Sequence, residues 1–294
     1  MKIAFIGFGE AASHIAEGLA GEGVRDMTAY DVIALQPEAG ARVRERAAQI
    51  GVTLCPQAEH AAAGADAVFA AVPGNYALDV CRQLQSSLHA GQLYVDVSAS
   101  TPAVKRQIAD MLRPQAVGVV DAAMLGSLPQ LKHKVPITAS GSGAKRFQES
   151  FTPYGMRIEY VGEEAGAASA IKLLRSIYTK GTTALMLELL LAADTYGVMD
   201  QVMDSISKSV DNSTFADFTN RLVPSAALHA KRRAEELAGS AQMLNEAGVD
   251  DCMVIAAKEM HEWLAAKCGD VPESTRAELR TYSDVIHMLM SKKE

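Results

Sequence analysis

A polar stripe on an otherwise apolar predicted helix carries the residues best suited to chemistry in this sequence. Lys172, Arg175, Ser176, Thr179 and Thr183 stand among Leu, Ile, Ala and Met residues. At about 100° per residue, the lysine and the three hydroxyl residues share one side of the helix, with Arg175 beside them. Burial and the neighbouring cation should lower the pKa of the Lys172 amine, so that it can exchange a proton near neutral pH. The stripe predicts the wall of a site; the alternative is a solvent-facing edge with an extended lysine.

A glycine-rich turn near the start of the chain forms a second candidate site. It has the pattern G-x-G-x-x-A, and its residues are Gly7, Phe8, Gly9, Glu10, Ala11 and Ala12. The turn follows a predicted strand and opens a predicted helix. In this context the first glycine permits the tight turn, and the second lets the backbone approach a pyrophosphate at the helix N-terminus. The pattern predicts a dinucleotide site, and the alternative is a turn that needs glycine for its own conformation.

Asp31 ends the next predicted strand, 24 residues after Gly7. A carboxylate at this spacing can accept a hydrogen bond from the 2′-hydroxyl of a ribose, and it would repel a 2′-phosphate. The expected cofactor is therefore NAD or NADP, with NAD weakly favoured. A solvated acid at a strand end is the alternative for Asp31.

The elements that position these residues change type part-way along the chain. Eight short β-rich runs occur in residues 1–162, and helical segments alternate with the first six of them. Residues 163–294 contain helical segments only, at 165–196, 199–210, 228–248, 252–267 and 274–292. We therefore predict an α/β Rossmann domain with a doubly wound, mostly parallel sheet over 1–162, followed by an all-α domain for substrate binding and dimerisation over 163–294.

Charge and composition exclude several classes of partner. The net charge of −7 leaves no basic excess for binding nucleic acid. The longest apolar run is interrupted by Glu188 and is too short to cross a bilayer, so no membrane partner is expected. The four cysteines and seven histidines show no metal-ligand spacing, so no metal site is predicted. With no signal-peptide pattern at the start, a cytoplasmic protein is expected.

Several motifs, in the same order along the chain, resemble the β-hydroxyacid dehydrogenase superfamily, which includes 3-hydroxyisobutyrate and 6-phosphogluconate dehydrogenases. These motifs are AVP at 71–73, DVSASTP at 96–102, DAAMLGS at 121–127, GEEAGAASAIKLL at 162–174 and ALMLELLLAADTYG at 184–197. They span about residues 1–200. The segments KLLRSIYTKG and HAKRRAEE are similar to a less-studied, phosphogluconate-dehydrogenase-like branch.

The resemblance implies hydride transfer between a nicotinamide nucleotide and a small hydroxy acid, phosphorylated and sugar-derived acids included. It gives Lys172 the role of general acid and base. It places Val72 and Pro73 beside the nicotinamide and Ser98 at cofactor and substrate. Gly126 and Ser127 would offer backbone N–H groups to a substrate carboxylate, and Arg175, Ser176 and Thr179 would orient the substrate. For Ser98, helix capping before Pro102 is an equal alternative, and for Gly126 and Ser127 the alternative is a plain turn.

The chain also departs from the family pattern. Arg175 and Ser176 stand where the family has an Asn pair, and Leu125 and Ser127 replace a serine and a glycine of the substrate loop. These departures leave room for imine reduction or oxidative decarboxylation on the same fold. A protein that binds NAD(P) without turnover is the alternative from another class.

Two expectations concern the helical half. Arg232 lies in a basic run at 231–233, and either it pairs with an anionic group of the substrate or the run is a solvated helix face. The long apolar helix has more hydrophobic surface than one sheet face can cover, which predicts a homodimer.

Overall fold

The first half of the chain folds around one eight-stranded sheet. The computed structural model describes residues 1–269 and 271–291. Its strands are β1 (Lys2–Ile6), β2 (Asp26–Tyr30), β3 (Thr53–Leu54), β4 (Ala67–Ala70), β5 (Leu93–Asp96), β6 (Gly118–Met124), β7 (Pro136–Ser140) and β8 (Arg157–Gly162). Each strand overlaps one of the eight runs expected from the sequence, which confirms the predicted fold class.

The strands are arranged in the order β3-β2-β1-β4-β5-β6-β7-β8. All neighbours are parallel except β6 and β7. The chain therefore leaves β1 in one direction for β2 and β3 and in the other for β4 and β5. In such open sheets, ligands bind beyond the carboxyl ends of the strands at the point where the strand order reverses.

Helices cover both faces of the sheet. Those of this half are α1 (Glu10–Gly21), α2 (Ala41–Ile50), α3 (Ala58–Ala62), α4 (Ala77–Leu84), α5 (Pro102–Leu112), α6 (Leu128–Leu131) and α7 (Ala144–Phe151). Because successive side chains of a strand point to opposite faces, Phe5 and Phe69 pack into one core layer, whereas Val68 and Tyr94 belong to the other. The rings of Phe5 and Phe69 lie 5.4 Å apart, centroid to centroid.

The second half is helical throughout its described residues. Its helices are α8 (Ala167–Thr195), α9 (Met199–Val210), α10 (Phe215–Glu246), α11 (Cys252–Cys268), α12 (Glu273–Glu278) and α13 (Tyr282–Ser291). The predicted helices over 165–196, 199–210 and 252–267 are found within two residues of these bounds.

Two helix predictions need correction. The helix predicted from Leu228 is found as the second segment of α10, because the backbone leaves helical dihedral angles at His229 (φ −119°, ψ 22°) and a kink divides Phe215–Glu246 there. The first segment, which contains Pro224, was not predicted. The single helix predicted over 274–292 is two helices, and Lys292 lies outside the described residues. Thr281 and Asp284 make reciprocal bonds to each other's backbone N–H at the start of α13, a capping box that separates it from α12.

The chain forms two compact units, Met1–Ser176 and the residues from Ile177 onward. The division lies within α8, whereas the sequence placed it at Gly162, the last residue of β8. In the described part of the chain, no helix has the combined length and apolar character needed to cross a membrane.

Candidate active site

The glycine turn is built by the approach of β4 to the end of β1. Gly7 has a φ of +84°, and a Cβ at this position would lie 2.6 Å from the carbonyl oxygen of Ala71. Only glycine fits both the left-handed conformation and this contact. Gly9 caps α1 without a side-chain hydrogen bond and has open space around it. Backbone and free space at the start of a helix are what a pyrophosphate requires.

Asp31 holds the turn from the neighbouring strand. The backbone N–H of Phe8 donates to Asp31 Oδ2 at 2.7 Å, and the N–H of Ile33 donates to Oδ1 at 2.8 Å. The Phe8 ring is buried in the core below the turn, whereas Glu10 is exposed and Ala11 is half-buried at the start of α1. The structure thus brings Asp31 to the turn, where its carboxylate remains half-buried.

The loops after β4 and β5 lie beside this turn. Val72 is half-buried and Pro73 is exposed, and the loop packs so closely that a Cβ on Gly74 would lie 2.6 Å from the Ala99 carbonyl oxygen. Ser98 is buried, and its hydroxyl donates to the Ser100 hydroxyl at 3.2 Å. The cap of α5 is Thr101, which accepts from the N–H of Val104 at 3.4 Å, so neither serine makes the capping bond considered from the sequence.

A row of register partners crosses the sheet at this level. Ile6 pairs with Ala70, Ala70 with Asp96, and Asp96 with Asp121. Three strand spacings separate the end of β1 from Asp121, which is roughly 14 Å. The two aspartates therefore lie along the same sheet edge as the glycine turn. Sequence reasoning assigned them no role.

A buried lysine joins the two aspartates. Lys105 Nζ lies 3.0 Å from Asp96 Oδ2 and 3.5 Å from Asp121 Oδ1, and all three side chains are about 1% exposed or less. The ammonium also donates to the carbonyl oxygens of Asp96 at 2.9 Å and Ser98 at 3.0 Å. One cation between two anions leaves the cluster with a single negative charge.

Asp121 also anchors the start of α8. Its Oδ2 accepts from the backbone N–H groups of Gly166 at 3.0 Å and Ser169 at 2.9 Å, and its Oδ1 accepts from the Ser169 hydroxyl at 2.6 Å. Ser140 Oγ donates to Oδ2 at 3.3 Å. Because residues three apart share a helix face, Lys172 lies one turn beyond Ser169 on the same side.

The Lys172 amine is half-buried, and its pKa is lowered from the ordinary lysine value. Burial is the main cause, because it disfavours the charged form, and the charge of Lys105 acts in the same direction. The charge of Asp121 opposes both effects. The sequence predicted a second cation at Arg175, whereas the structure assigns this effect to Lys105, which lies far along the chain.

The rest of the stripe is more open than a site wall requires. Ser176 is half-buried, whereas Arg175, Thr179 and Thr183 are exposed. The Thr183 hydroxyl donates to the carbonyl oxygen of Thr179 at 2.8 Å, so it bonds to its own helix. Of the five stripe residues, only Lys172 and Ser176 are partly buried, as the wall of a site would be.

Two further predicted substrate regions lie apart from this cluster along the chain. Gly126 and Ser127 are exposed in the loop after β6, and Ser127 precedes α6 with its carbonyl oxygen accepting from Leu131 at 3.1 Å. Arg232 belongs to the second unit, where its side chain is 65% exposed and lies 3.4 Å from Glu236.

Family models match two parts of the chain. Residues 2–100 match a family described as "NADP oxidoreductase coenzyme F420-dependent". Residues 193–264 match a domain of unknown function, DUF1932.

Solved structures match almost all of it. A conserved hypothetical protein from Sinorhizobium meliloti 1021 is 30% identical, covering 99% of this chain and 96% of its own, with a TM-score of 0.64. Conserved protein MTH1747, of unknown function and described as structurally similar to 3-hydroxyacid dehydrogenases, is 32% identical, covering 90% of this chain and 97% of its own, again with a TM-score of 0.64. An imine reductase variant from Myxococcus stipitatus in complex with NAD⁺ shares the fold at 17% identity, covering 98% of this chain and 99% of its own, with a TM-score of 0.74.

A dinucleotide turn at the edge of a doubly wound sheet, followed by a helical unit, defines an NAD(P)-dependent oxidoreductase. Two solved structures share about one third of their residues with this chain over nearly its whole length, which identifies the family within this class. The chain belongs to the 3-hydroxyacid dehydrogenase-like family.

Proposed function

We propose that the protein transfers hydride between a nicotinamide nucleotide and a small hydroxy acid, with Lys172 as general acid and base. The observation that supports this most directly is a half-buried amine of lowered pKa on a helix anchored at the sheet edge that carries the glycine turn. A lysine at its ordinary pKa is a poor base at neutral pH, so an environment that disfavours its charge matches this role.

The residues at the glycine turn fit the cofactor. Gly7 and Gly9 leave space for a pyrophosphate, and the first N–H groups of α1 offer it donors. We assign the cofactor to Gly7, Phe8, Gly9, Glu10, Ala11 and Asp31, with Val72, Pro73 and Ser98 on the neighbouring loops. When bound, the nicotinamide nucleotide supplies the acceptor or donor of hydride. Asp31 favours NAD, because a carboxylate repels the 2′-phosphate of NADP.

The Lys172 amine carries the proton that accompanies this transfer. In the oxidation direction the neutral amine accepts the proton of the substrate hydroxyl, and in reduction the ammonium donates it to the carbonyl oxygen. Ser176 and Thr179 would orient that oxygen. Arg175, the Ser98 hydroxyl and the backbone N–H groups of Gly126 and Ser127 would bind the acid group. Arg232 belongs to the second unit, and its pairing with an anionic group stays a prediction.

Imine reduction is the second candidate. Leu125 is apolar and Arg175 is exposed where the resemblance would place polar contacts to a hydroxy acid. The imine reductases that share this fold bind NAD⁺ or NADP⁺. Hydride transfer at the nicotinamide ring would therefore be common to hydroxy-acid oxidation and imine reduction. The same lysine would then donate the proton.

The first test compares wild type with Lys172→Ala on panels of hydroxy acids and cyclic imines, with nicotinamide absorbance as the readout. Loss of a general base should lower turnover by about 10²- to 10⁴-fold. NADH affinity, measured by fluorescence titration, should stay unchanged. For wild-type oxidation, the rate should rise with pH and level off below the ordinary lysine pKa of 10.5, because the neutral amine is then already abundant.

Lys180→Ala is the matched control, because Lys180 is an exposed lysine on the same helix. It should keep wild-type turnover. A Lys172→Ala enzyme that retains more than a few per cent of the rate would remove Lys172 from the chemistry. Turnover on imines alone would favour the second candidate, and NADH binding without turnover on either panel would favour a binding protein.

We also propose a homodimer and a reducing, cytoplasmic location. Eight large apolar side chains of α8 remain exposed in the single chain: Leu173, Leu174, Ile177, Tyr178, Leu185, Met186, Leu187 and Leu191. All four cysteines are free, which suits a compartment that keeps thiols reduced.

A further inference from the structure

Lys105 is an unusual lysine. Its side chain is about 1% exposed, among the largest fully buried side chains of the described chain. Lysine is almost never fully buried unless its charge is paired. The four oxygens around Nζ, two from carboxylates and two from backbone carbonyls, exceed the three donors that an ammonium has. No donor remains for a substrate, so any effect of Lys105 on catalysis acts through other residues.

Asp121 links this ammonium to the helix that bears Lys172. The same carboxylate contacts Lys105 and binds two backbone N–H groups and a hydroxyl at the start of α8. The start of α5 is also in contact there, since a Cβ on Gly166 would lie 2.8 Å from the Pro102 carbonyl oxygen. Lys105 lies three residues after the start of α5 and Lys172 five residues after the start of α8, and the starts of these two helices touch.

We infer that Lys105 is a positioning residue for Lys172: its buried ammonium fixes the carboxylate that anchors α8 and sets the field in which the Lys172 amine exchanges its proton. This inference rests on the proposed acid and base role of Lys172.

The charges around Lys172 have opposite effects. Lys105 from α5 lowers the pKa of Lys172, whereas Asp121 from β6 raises it. Asp96 from β5 faces Lys105, and Arg175 follows on the next turn of α8. Loss of the Lys105 charge should therefore raise the pKa of Lys172, and loss of the Asp121 charge should lower it. If the ion pair had only a structural role, removal of its two charges would not be expected to shift the Lys172 pKa in opposite directions.

The test measures the Lys172 pKa without any substrate. Trace labelling of lysines with acetic anhydride across a pH series, read by mass spectrometry of the peptide that contains Lys172, reports the titration of this amine. Lys105→Met by itself would leave two buried carboxylates without a cation, which is strongly destabilising. The double variant Lys105→Met with Asp96→Asn keeps one negative charge in the cluster, as in the wild type, and is the main variant.

In the double variant the Lys172 titration should move to higher pH, because the positive charge that lowers the Lys172 pKa is removed. Asp96→Asn by itself is the matched control, because it breaks the same ion pair but leaves the ammonium in place, so the titration should not move. Asp121→Asn should move it down. Thermal denaturation and NADH titration verify that each variant is folded.

A folded double variant whose Lys172 titrates as in the wild type would overturn the inference, as would an equal upward shift in Asp96→Asn. These outcomes are independent of turnover. If the titrations move as expected but Lys172→Ala retains activity, the influence of Lys105 on Lys172 stands and the proposed catalytic role is wrong. If Lys172→Ala is inactive and the titrations do not move, only the inference about Lys105 is wrong.

Discussion

Two lysines on neighbouring helices differ in their proton chemistry because of their surroundings. Lys105 Nζ has carboxylates at 3.0 and 3.5 Å and two carbonyl oxygens within hydrogen-bond distance, so its donors are all engaged. Lys172 is half-buried, and burial is the largest effect on its pKa. Desolvation favours the neutral amine. The residue suited to exchange a proton is therefore Lys172.

The predicted preference for NAD over NADP depends on Asp31. Its carboxylate is half-buried beside the glycine turn, so its charge should act directly on a 2′-phosphate. We expect the wild type to bind NADH more tightly than NADPH. Asp31→Asn should lower the ratio of the NADPH dissociation constant to the NADH dissociation constant by about tenfold, which corresponds to about 1.4 kcal/mol. Fluorescence titration with each nucleotide measures both constants.

Asp26→Asn serves as its control, because Asp26 is an exposed acid at the opposite end of β2. It removes one carboxylate charge from the far end of the strand that Asp31 follows, so the ratio of the two dissociation constants should remain that of the wild type. A wild type that prefers NADPH, or an Asp31→Asn ratio that does not change, would contradict the assignment of NAD.

Helix α1 carries the glycine turn at its start, and its position depends on a tight contact further along. Gly18 faces His133, and a Cβ on Gly18 would overlap the His133 ring at Nδ1. His133 is itself 5% exposed, so its ring has little room to move. The absence of a side chain at Gly18 therefore sets how closely α1 packs against the segment that leads into β7.

Gly18→Ala should destabilise the fold by about 1–3 kcal/mol, the usual cost of overpacking a close-packed site. Chemical denaturation measures this loss. Gly21→Ala, on the same helix with nothing within 4 Å of its Cβ position, should be neutral or slightly stabilising.

Adding His133→Ala to Gly18→Ala should recover part of the loss, because the smaller side chain removes the clash. Equal stability of Gly18→Ala and Gly21→Ala would show that the contact between Gly18 and His133 does not limit the packing of α1.

At the scale of the whole molecule, the main feature is apolar surface that the single chain leaves uncovered. The exposed apolar residues of α8 occur along most of its length beside the polar stripe, with Ile177 70% exposed and Leu174 64% exposed. A large exposed apolar surface usually marks a site of association with another protein. A second copy of the chain would bury this surface, which is the physical basis of the proposed homodimer.

Light scattering at micromolar concentration should give twice the chain mass of 31.3 kDa. Ile177→Glu should shift the protein toward monomer while its helical circular dichroism is kept, because a charge would have to be buried in the interface. Gln49→Glu, at an exposed position of α2, should remain dimeric. A wild type of single-chain mass would disprove the dimer.

The local patterns of the sequence were enough to predict the order of elements and the glycine turn. Eight strands and the helix carrying Lys172 could be predicted, because hydrophobic periodicity and the spacing of glycines are patterns over a few neighbouring residues. The break before α13 could also have been found, since Thr281 and Asp284 form a recognisable capping pair.

The surroundings of Lys172 could not be predicted in this way. Lys105 lies on a helix whose sequence is polar enough to be read as surface, and Arg175 was the nearer cation in the chain. Asp96 and Asp121 become neighbours only through the pairing of β5 with β6, and Asp121 meets Ser169 only when α8 packs on the sheet. The sequence by itself determined which residues could exchange a proton or bind a dinucleotide. Tertiary structure decided which charges act on Lys172, because electrostatic effects depend on distance and burial in space rather than on separation along the chain.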